Sequence, residues 1–256
     1  MRLKLENTDI KDFLEAKVSQ YNHPRFIDTD PIQVPHLYSR KEDIEISGFL
    51  TATIAWGNRK SIIANAKRLM QLMGNAPFDF VMDYKKSNEA IDRFVHRTFN
   101  GTDLDCFFRA LQHIYKNHGG LENALSPKNH NNVQSQISDF KRVFFEVDHQ
   151  YRSQKHISDP LRGSAAKRIN MFLRWMVRND NAGVDFGIWK ILQPSQLSCP
   201  LDVHSGNVAR KLGLLHRQQN DAKALYELDC TLRQLEPNDP AKYDFALFGL
   251  GVFEGF

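Results

Sequence analysis

The chain lacks most of the features that would mark a specialised class. Only three of its 256 residues are cysteine, Cys106, Cys199 and Cys230, odd in number and far apart. That excludes a disulfide framework and the paired CxxC spacing of a zinc or redox site. No run of 18 apolar residues occurs, so neither a membrane-spanning helix nor a membrane partner is expected. The N-terminal MRLKLENTDIKDF carries charges where a secretory leader has an apolar stretch, which places the expected location in the cytoplasm. No series of alternating strands with hairpin turns is present and no repeat of fixed period, leaving an all-α fold class. Neither sign of charge dominates: 34 Lys and Arg stand against 30 Asp and Glu, a net +4 that is compatible with an anionic partner without demanding one.

What is present is ordinary globular material, 41% hydrophobic and 25% charged. It suffices for one large or two small domains. Apolar periodicity predicts helices over residues 1–20, Lys41 to Trp56, from Asn58 to Gly74, Phe78 to Met82, Ala90 to Phe94, Asp103 to Asn117 and Leu121 to Leu125. Asn58 is the expected cap of the third and Gly57 the expected stop before it. The proline-rich YNHPRFIDTDPIQVPHLY reads as a loop or extended connector, and polar SPKNHNNVQSQI (126–137) as an exposed loop or insertion, with helix resuming from Asp139.

The stretch from Leu161 to Leu212 is chemically the most loaded. Ser158-Asp159-Pro160 stops a helix, and Leu161-Arg162-Gly163-Ser164 is a short hairpin in which backbone amides converge. With the positive end of the next helix they form a phosphate cradle or a plain helix-helix turn; the residues alone allow both. Lys167 follows, sharing a helix face with Asn170, Met171 and Arg174. It reads as a solvated charge or as an amine nucleophile. Asp202, after Pro200 in CPLDVHSGNVARKLGL, reads as the N-cap that bonds to amides near Ser205 or as a catalytic carboxylate. Arg210 and Lys211 suit the C-terminal dipole of that helix, or a phosphate.

Taken together, LRGSAAKRINMF and PLDVHSGNVARKLGL resemble the helix-hairpin-helix DNA glycosylase superfamily, whose hairpin LPGVGxKTA precedes a segment VDTHVxRVxxRLGL. Lys167 falls on the lysine of bifunctional members and Asp202 on the aspartate. ISGFLTATIAWGNRKSIIANAKRL resembles the family's early helix pair, and FFRALQHIYKNHGGLENAL the helix before its hairpin helix. In DFALFGLG, Asp244 and Phe248 fall on the polar base reader and stacking aromatic of 8-oxoguanine glycosylases. The sequence departs from the pattern at Ala165, where the second hairpin glycine would stand. It spaces Lys167 and Asp202 by 35 positions, close to the archaeal 8-oxoguanine type, and carries no four-cysteine tail for an iron-sulfur cluster.

The resemblance implies a two-subdomain helical fold with its active site in the cleft between subdomains. An N-terminal helix and connector (1–43) would pack with the C-terminal helices, a subdomain 44–180 would carry the hairpin 160–166, and a subdomain 181–256 would carry Asp202. It implies a monomer that excises a damaged purine from duplex DNA, with no cofactor and no metal. Lys167 and Asp202 would be catalytic, and Gly163, Ser164, Arg174, Arg210, Asp244 and Phe248 would contact the substrate. Trp56 and Trp175 are aromatic candidates for the pocket wall, with core packing the better reading of both. The alternative function is a non-catalytic nucleic-acid-binding protein on the same fold.

Overall fold

The computed structural model describes residues 7–126 and 132–256, which are mostly helical. The chain forms two compact units, one continuous, Ile27–Asp159, and one discontinuous, built from the chain up to Phe26 and from Pro160 onward. The divisions fall at 26/27 and 159/160, where boundaries at 43/44 and 180/181 were expected, and the hairpin and the helix of Lys167 belong to the same unit as Asp202.

Helix α1 (Asn7–Tyr21) opens the discontinuous unit. The proline-rich connector after it is neither extended nor a loose loop. It winds into three 3-10 turns, Pro24–Thr29, Pro31–Gln33 and Pro35–Leu37, each begun by the proline whose fixed φ and missing N–H suit a first turn. Asp30 accepts the Ile32 amide at 3.0 Å, and Ile32 and Val34 are wholly buried.

In the continuous unit, α2 (Lys41–Thr53) is buried at every position from Ile44 to its end, including Glu45, whose carboxylate accepts the Tyr115 hydroxyl at 2.6 Å. Asn58 caps α3 (Arg59–Leu72) by accepting the Ser61 amide. Two short helices follow, α4 (Pro77–Asp83) and α5 (Glu89–Asp92). A ladder that alternation was too short to reveal pairs β1 (Val95–His96) with β2 (Phe99–Asn100), antiparallel. Helix α6 (Gly101–Asn117) starts directly from β2, with Asn100 and Asp103 exchanging side-chain and backbone bonds as a capping box. A Cβ at Gly101 would lie 2.5 Å from the Asp92 carbonyl, so only glycine fits that junction. Helices α7 (Leu121–Leu125) and α8 (Val133–Phe144) complete the unit.

The expected exposed loop 126–137 is corrected in its second half, while residues 127–131 lie outside the described residues. Asn132 caps α8 by accepting the Ser135 amide at 2.8 Å, and Val133, Gln136 and Ile137 are buried. Gln136 is polar yet internal because its amide donates to the Ala124 carbonyl at 2.9 Å. Phe49, Phe99, Phe107, Phe140 and Phe144 pack ring against ring within this unit.

The discontinuous unit resumes with α9 (Lys167–Val177), α10 (Val203–Lys211), α11 (Ala222–Leu235) and α12 (Tyr243–Phe253). Helix α12 packs between α1 and α10. The close approach of α1 is set by Gly249, where a Cβ would sit 2.2 Å from the Tyr21 ring. Trp175 is fully buried, which makes it core rather than pocket wall; Trp56, half-buried in the continuous unit, packs edge-on against His96. Among the described residues no helix is long and apolar enough to cross a membrane.

Candidate active site

Helix α9 is buried at every position from Ile169 to Val177, yet three cations project from one face of it. Lys167, Arg174 and Arg178 are seven and eleven positions apart, close to whole turns of a 3.6-residue helix. Lys167 stands at the outer end and the two arginines run inward.

The hairpin before Lys167 is held by its own backbone. Gly163 turns at φ +90°, a conformation that favours glycine even though a Cβ there would meet nothing. Its N–H donates to the Pro160 carbonyl (2.9 Å), and its carbonyl accepts the Ala222 amide (3.0 Å), which ties the hairpin to the start of α11. The Ser164 hydroxyl accepts the Ala166 amide at 3.1 Å. Ala165, where the resemblance leads one to expect a second glycine, is buried; the left-handed residue is Ala166, at φ +44°. Asn170 donates back to the Ala165 carbonyl at 3.0 Å. Ala166 is the cap of α9 and has no side chain to close the first turn.

Asp202 satisfies both of its readings, one with each oxygen. Oδ1 accepts the amides of His204 (2.8 Å) and Ser205 (3.0 Å), the expected N-cap of α10. Oδ2 faces Lys167 Nζ at 3.7 Å, and each of the two side chains is about a quarter exposed. The cap therefore fixes the carboxylate while one oxygen is aimed at the amine. Its backbone is held as well: the Asp202 N–H donates to Ser205 Oγ (2.9 Å) and its carbonyl accepts Asn220 Nδ2 (2.8 Å). Arg210 reaches this arrangement from behind, donating to Asn220 Oδ1 at 2.6 Å and to the Arg217 carbonyl at 2.7 Å. Two of its guanidinium nitrogens thus bond the loop that supports Asp202, where the resemblance leads one to expect a substrate contact.

Arg174, the other arginine expected at the substrate, lies deeper. It is 3% exposed, pairs with Asp244 Oδ2 and with Asp185 Oδ1 (3.3 Å), and lies over the Phe245 ring. Asp244, in the first turn of α12, is buried, and Cys199 Sγ lies 4.0 Å from its Oδ1. Burial pushes the Asp244 carboxyl up to about 6, with Arg174 and Lys167 opposing and the negative Asp202 reinforcing the rise. Lys167, Asp202, Arg174 and Asp244, four charges expected from sequence, thus share one electrostatic neighbourhood. Phe248, one turn along α12 from Asp244, is half-buried and meets Phe26 and Phe253 edge-on.

Sequence reasoning missed what lies behind Arg174. Arg178, 2% exposed, binds Asp239 through Nε (2.9 and 3.0 Å), Asp185 through Nη1, and Asp180 through Nη2 (2.7 Å). Asp185, wholly buried between the two arginines, is pushed up by desolvation, and both arginines oppose that rise. The only signal in the sequence was a pair of arginines four apart on an otherwise apolar helix. Among the described residues, the one group of donors arranged to hold a metal ion is in the continuous unit and includes none of these side chains.

Residues 30–253 match the model of a family described as protein of unknown function, DUF2400, and the chain belongs to that family. No curated protein and no solved structure matches it.

Proposed function

We propose that the chain is a DNA glycosylase with associated strand-cleaving activity, acting on a damaged purine such as 8-oxoguanine. The observation that carries this reading is the approach of Lys167 Nζ to within 3.7 Å of Asp202 Oδ2, each side chain at the first turn of its own helix. An amine beside a fixed carboxylate is the minimal equipment for displacing a base from C1′ of deoxyribose.

In this reading Lys167 attacks C1′ and the C1′–N bond breaks, the electron pair leaving with the base. Positive charge builds on the sugar during that step, and Asp202, already oriented by two backbone amides, stabilises it electrostatically. Asp202 Oδ2 accepts the proton released when the amine becomes bonded to carbon. The nitrogen lone pair then expels O4′ from C1′, opening the sugar ring as Asp202 returns its proton to O4′, and the resulting Schiff base at C1′ permits β-elimination of the 3′ phosphate. Phe248 offers a stacking surface to an extruded base, and Asp244 a hydrogen-bond acceptor for purine N–H groups. All of these residues belong to the discontinuous unit, whereas the resemblance leads one to expect both subdomains to frame the site.

Borohydride reduction in the presence of an 8-oxoguanine duplex tests the reading: it should trap the chain covalently on DNA, and Lys167→Ala should abolish the trap. Survival of the trap in that variant would remove Lys167 as nucleophile. Absence of base release across a panel of purine lesions, with salt-dependent DNA binding retained, would favour the non-catalytic alternative.

A further inference from the structure

Sequence spacing gave no reason to expect a metal ion, yet three donors converge in the continuous unit. His113 lies just before the last turn of α6, His118 is the residue that ends that helix, and Glu146 sits in the turn after α8. His113 Nε2 is 3.0 Å from Glu146 Oε2, His118 Nε2 is 3.1 Å from His113 Nε2, and His118 Nε2 is 3.6 Å from the same Glu146 oxygen.

Hydrogen bonds alone account poorly for this triangle. His113 Nε2 is common to both short edges: carrying a proton it can donate to Glu146 but cannot accept from His118, carrying a lone pair it can accept from His118 but faces the carboxylate unbonded, and the 3.6 Å edge from His118 to Glu146 is too long for a hydrogen bond. A cation at the centre satisfies all three edges at once. Zinc bonds imidazole nitrogen and carboxylate oxygen at about 2.0–2.1 Å with tetrahedral angles, so ligand atoms on one face lie about 3.3 Å apart. The three observed edges scatter around that value. The rings are tilted at 60° rather than stacked, with both Nε2 atoms turned to the same side as the carboxylate.

The surroundings fit as well. Asn117 Nδ2 lies 2.8 Å from His113 Nδ1, and turning that amide over puts its oxygen in the same place, to accept the Nδ1–H that a metal-bound imidazole presents. Gly119 and Gly120, both at positive φ, turn the chain immediately after His118 and leave the site open to solvent on one side. The two histidines are about a quarter exposed and Glu146 rather more, which leaves a fourth position for water.

We infer that His113, His118 and Glu146 form a binding site for a divalent transition-metal ion of the zinc class, with a solvent-filled fourth position. Nitrogen and oxygen donors in this number suit zinc, cobalt or nickel and disfavour magnesium or calcium, which take six or more oxygens. The ion would tie the C-terminal end of α6 to the turn that follows α8.

The test uses the full chain, stripped with chelator and titrated with cobalt(II) and zinc(II). One equivalent of cobalt should bind with the intense visible absorption of a four-coordinate centre, and zinc should displace it. His113→Ala, His118→Ala and Glu146→Gln should each weaken binding at least tenfold, with helical circular dichroism unchanged because all three side chains are partly exposed. Asn117→Leu should weaken it about 10- to 100-fold without removing a ligand. Failure to bind a stoichiometric ion, or binding that survives both histidine substitutions, would overturn the site and leave the trio a hydrogen-bonded chain. The outcome is independent of Lys167 and of any activity on DNA.

Discussion

Replacing Arg178 by methionine tests the account of α9 most directly. The guanidinium is 2% exposed and pairs with three carboxylates, but these are not equivalent. Asp180 and Asp239 keep about a quarter of their side-chain surface in water, whereas Asp185 keeps none. When Arg178 is removed the first two can rehydrate, and Asp185 retains only the longer 3.3 Å contact to Arg174. The cost therefore falls mainly on one buried carboxylate and should reach about 3–5 kcal/mol, the range for breaking a buried pair by deleting one partner. At about 2–4 °C per kcal/mol for a chain of this size, the transition of the discontinuous unit should fall by roughly 6–20 °C in a calorimetric or circular-dichroism melt. Removing both charges, in Arg178→Met with Asp185→Leu, should recover most of the loss, because no buried carboxylate then lacks a partner. A single-variant cost below about 1 kcal/mol, or a double variant no better than the single, would refute the reasoning.

Other expectations can be checked alongside. The Asp103 carboxyl is buried, which would raise it, yet bonds from His156, Ser153 and the Asn100 amide hold it down at about 2. A depressed carboxylate contributes stability above about pH 4 that is lost as pH falls toward 2, so Asp103→Asn should cost about 2 kcal/mol at neutral pH. Urea titrations of that variant between pH 4 and 2 should show a shallower decline than the parent, and an unchanged slope would count against the assignment. Because Asp244 is raised to about 6 it gains a proton as pH drops below that value. Covalent trapping on lesion DNA should accordingly fall on the acid side of pH 6, and Asp244→Asn should remove that limb from the pH profile. Gly249→Ala would push a methyl into the Tyr21 ring and should destabilise by about 1–3 kcal/mol; the same change combined with Tyr21→Ala should cost less than the sum of the two. A valine at Ala166 would hold a β-branched residue at φ +44° and should cost about 1–3 kcal/mol in a thermal melt.

Local chemistry was legible in the sequence and distant pairing was not. Asn58 before α3 and Asp202 before α10 could be named as caps because a cap bonds only two or three residues ahead. Lys167 and Asp202 could be named as a pair because the resemblance supplied their proximity; periodicity alone left each with two readings. Arg174 and Arg210 were expected to contact the substrate, a role the resemblance supplied and no local pattern could check. Their partners, Asp244 and Asn220, are supplied by segments that no local pattern links to them. The start of α8 was missed for a related reason: Gln136 looks solvent-facing until the Ala124 carbonyl that receives it is known. The proline-rich connector misled in the opposite way, since prolines that break α-helices also begin 3-10 turns.

The discontinuous unit has a consequence for how the chain is made. Helix α1 leaves a ribosome well before its principal partner, α12, which begins at Tyr243, more than two hundred residues later. At about 5–20 residues per second, α1 waits on the order of 10–40 s with Leu14 and Val18 uncovered. Residues 27–159 meet no such delay, since their partners are all at hand once Asp159 has emerged. Synthesis thus separates the two units in time. The earlier one can close while α1 is still a client for chaperones, and the Lys167–Asp202 pair can be assembled only after the last helix arrives to complete its unit.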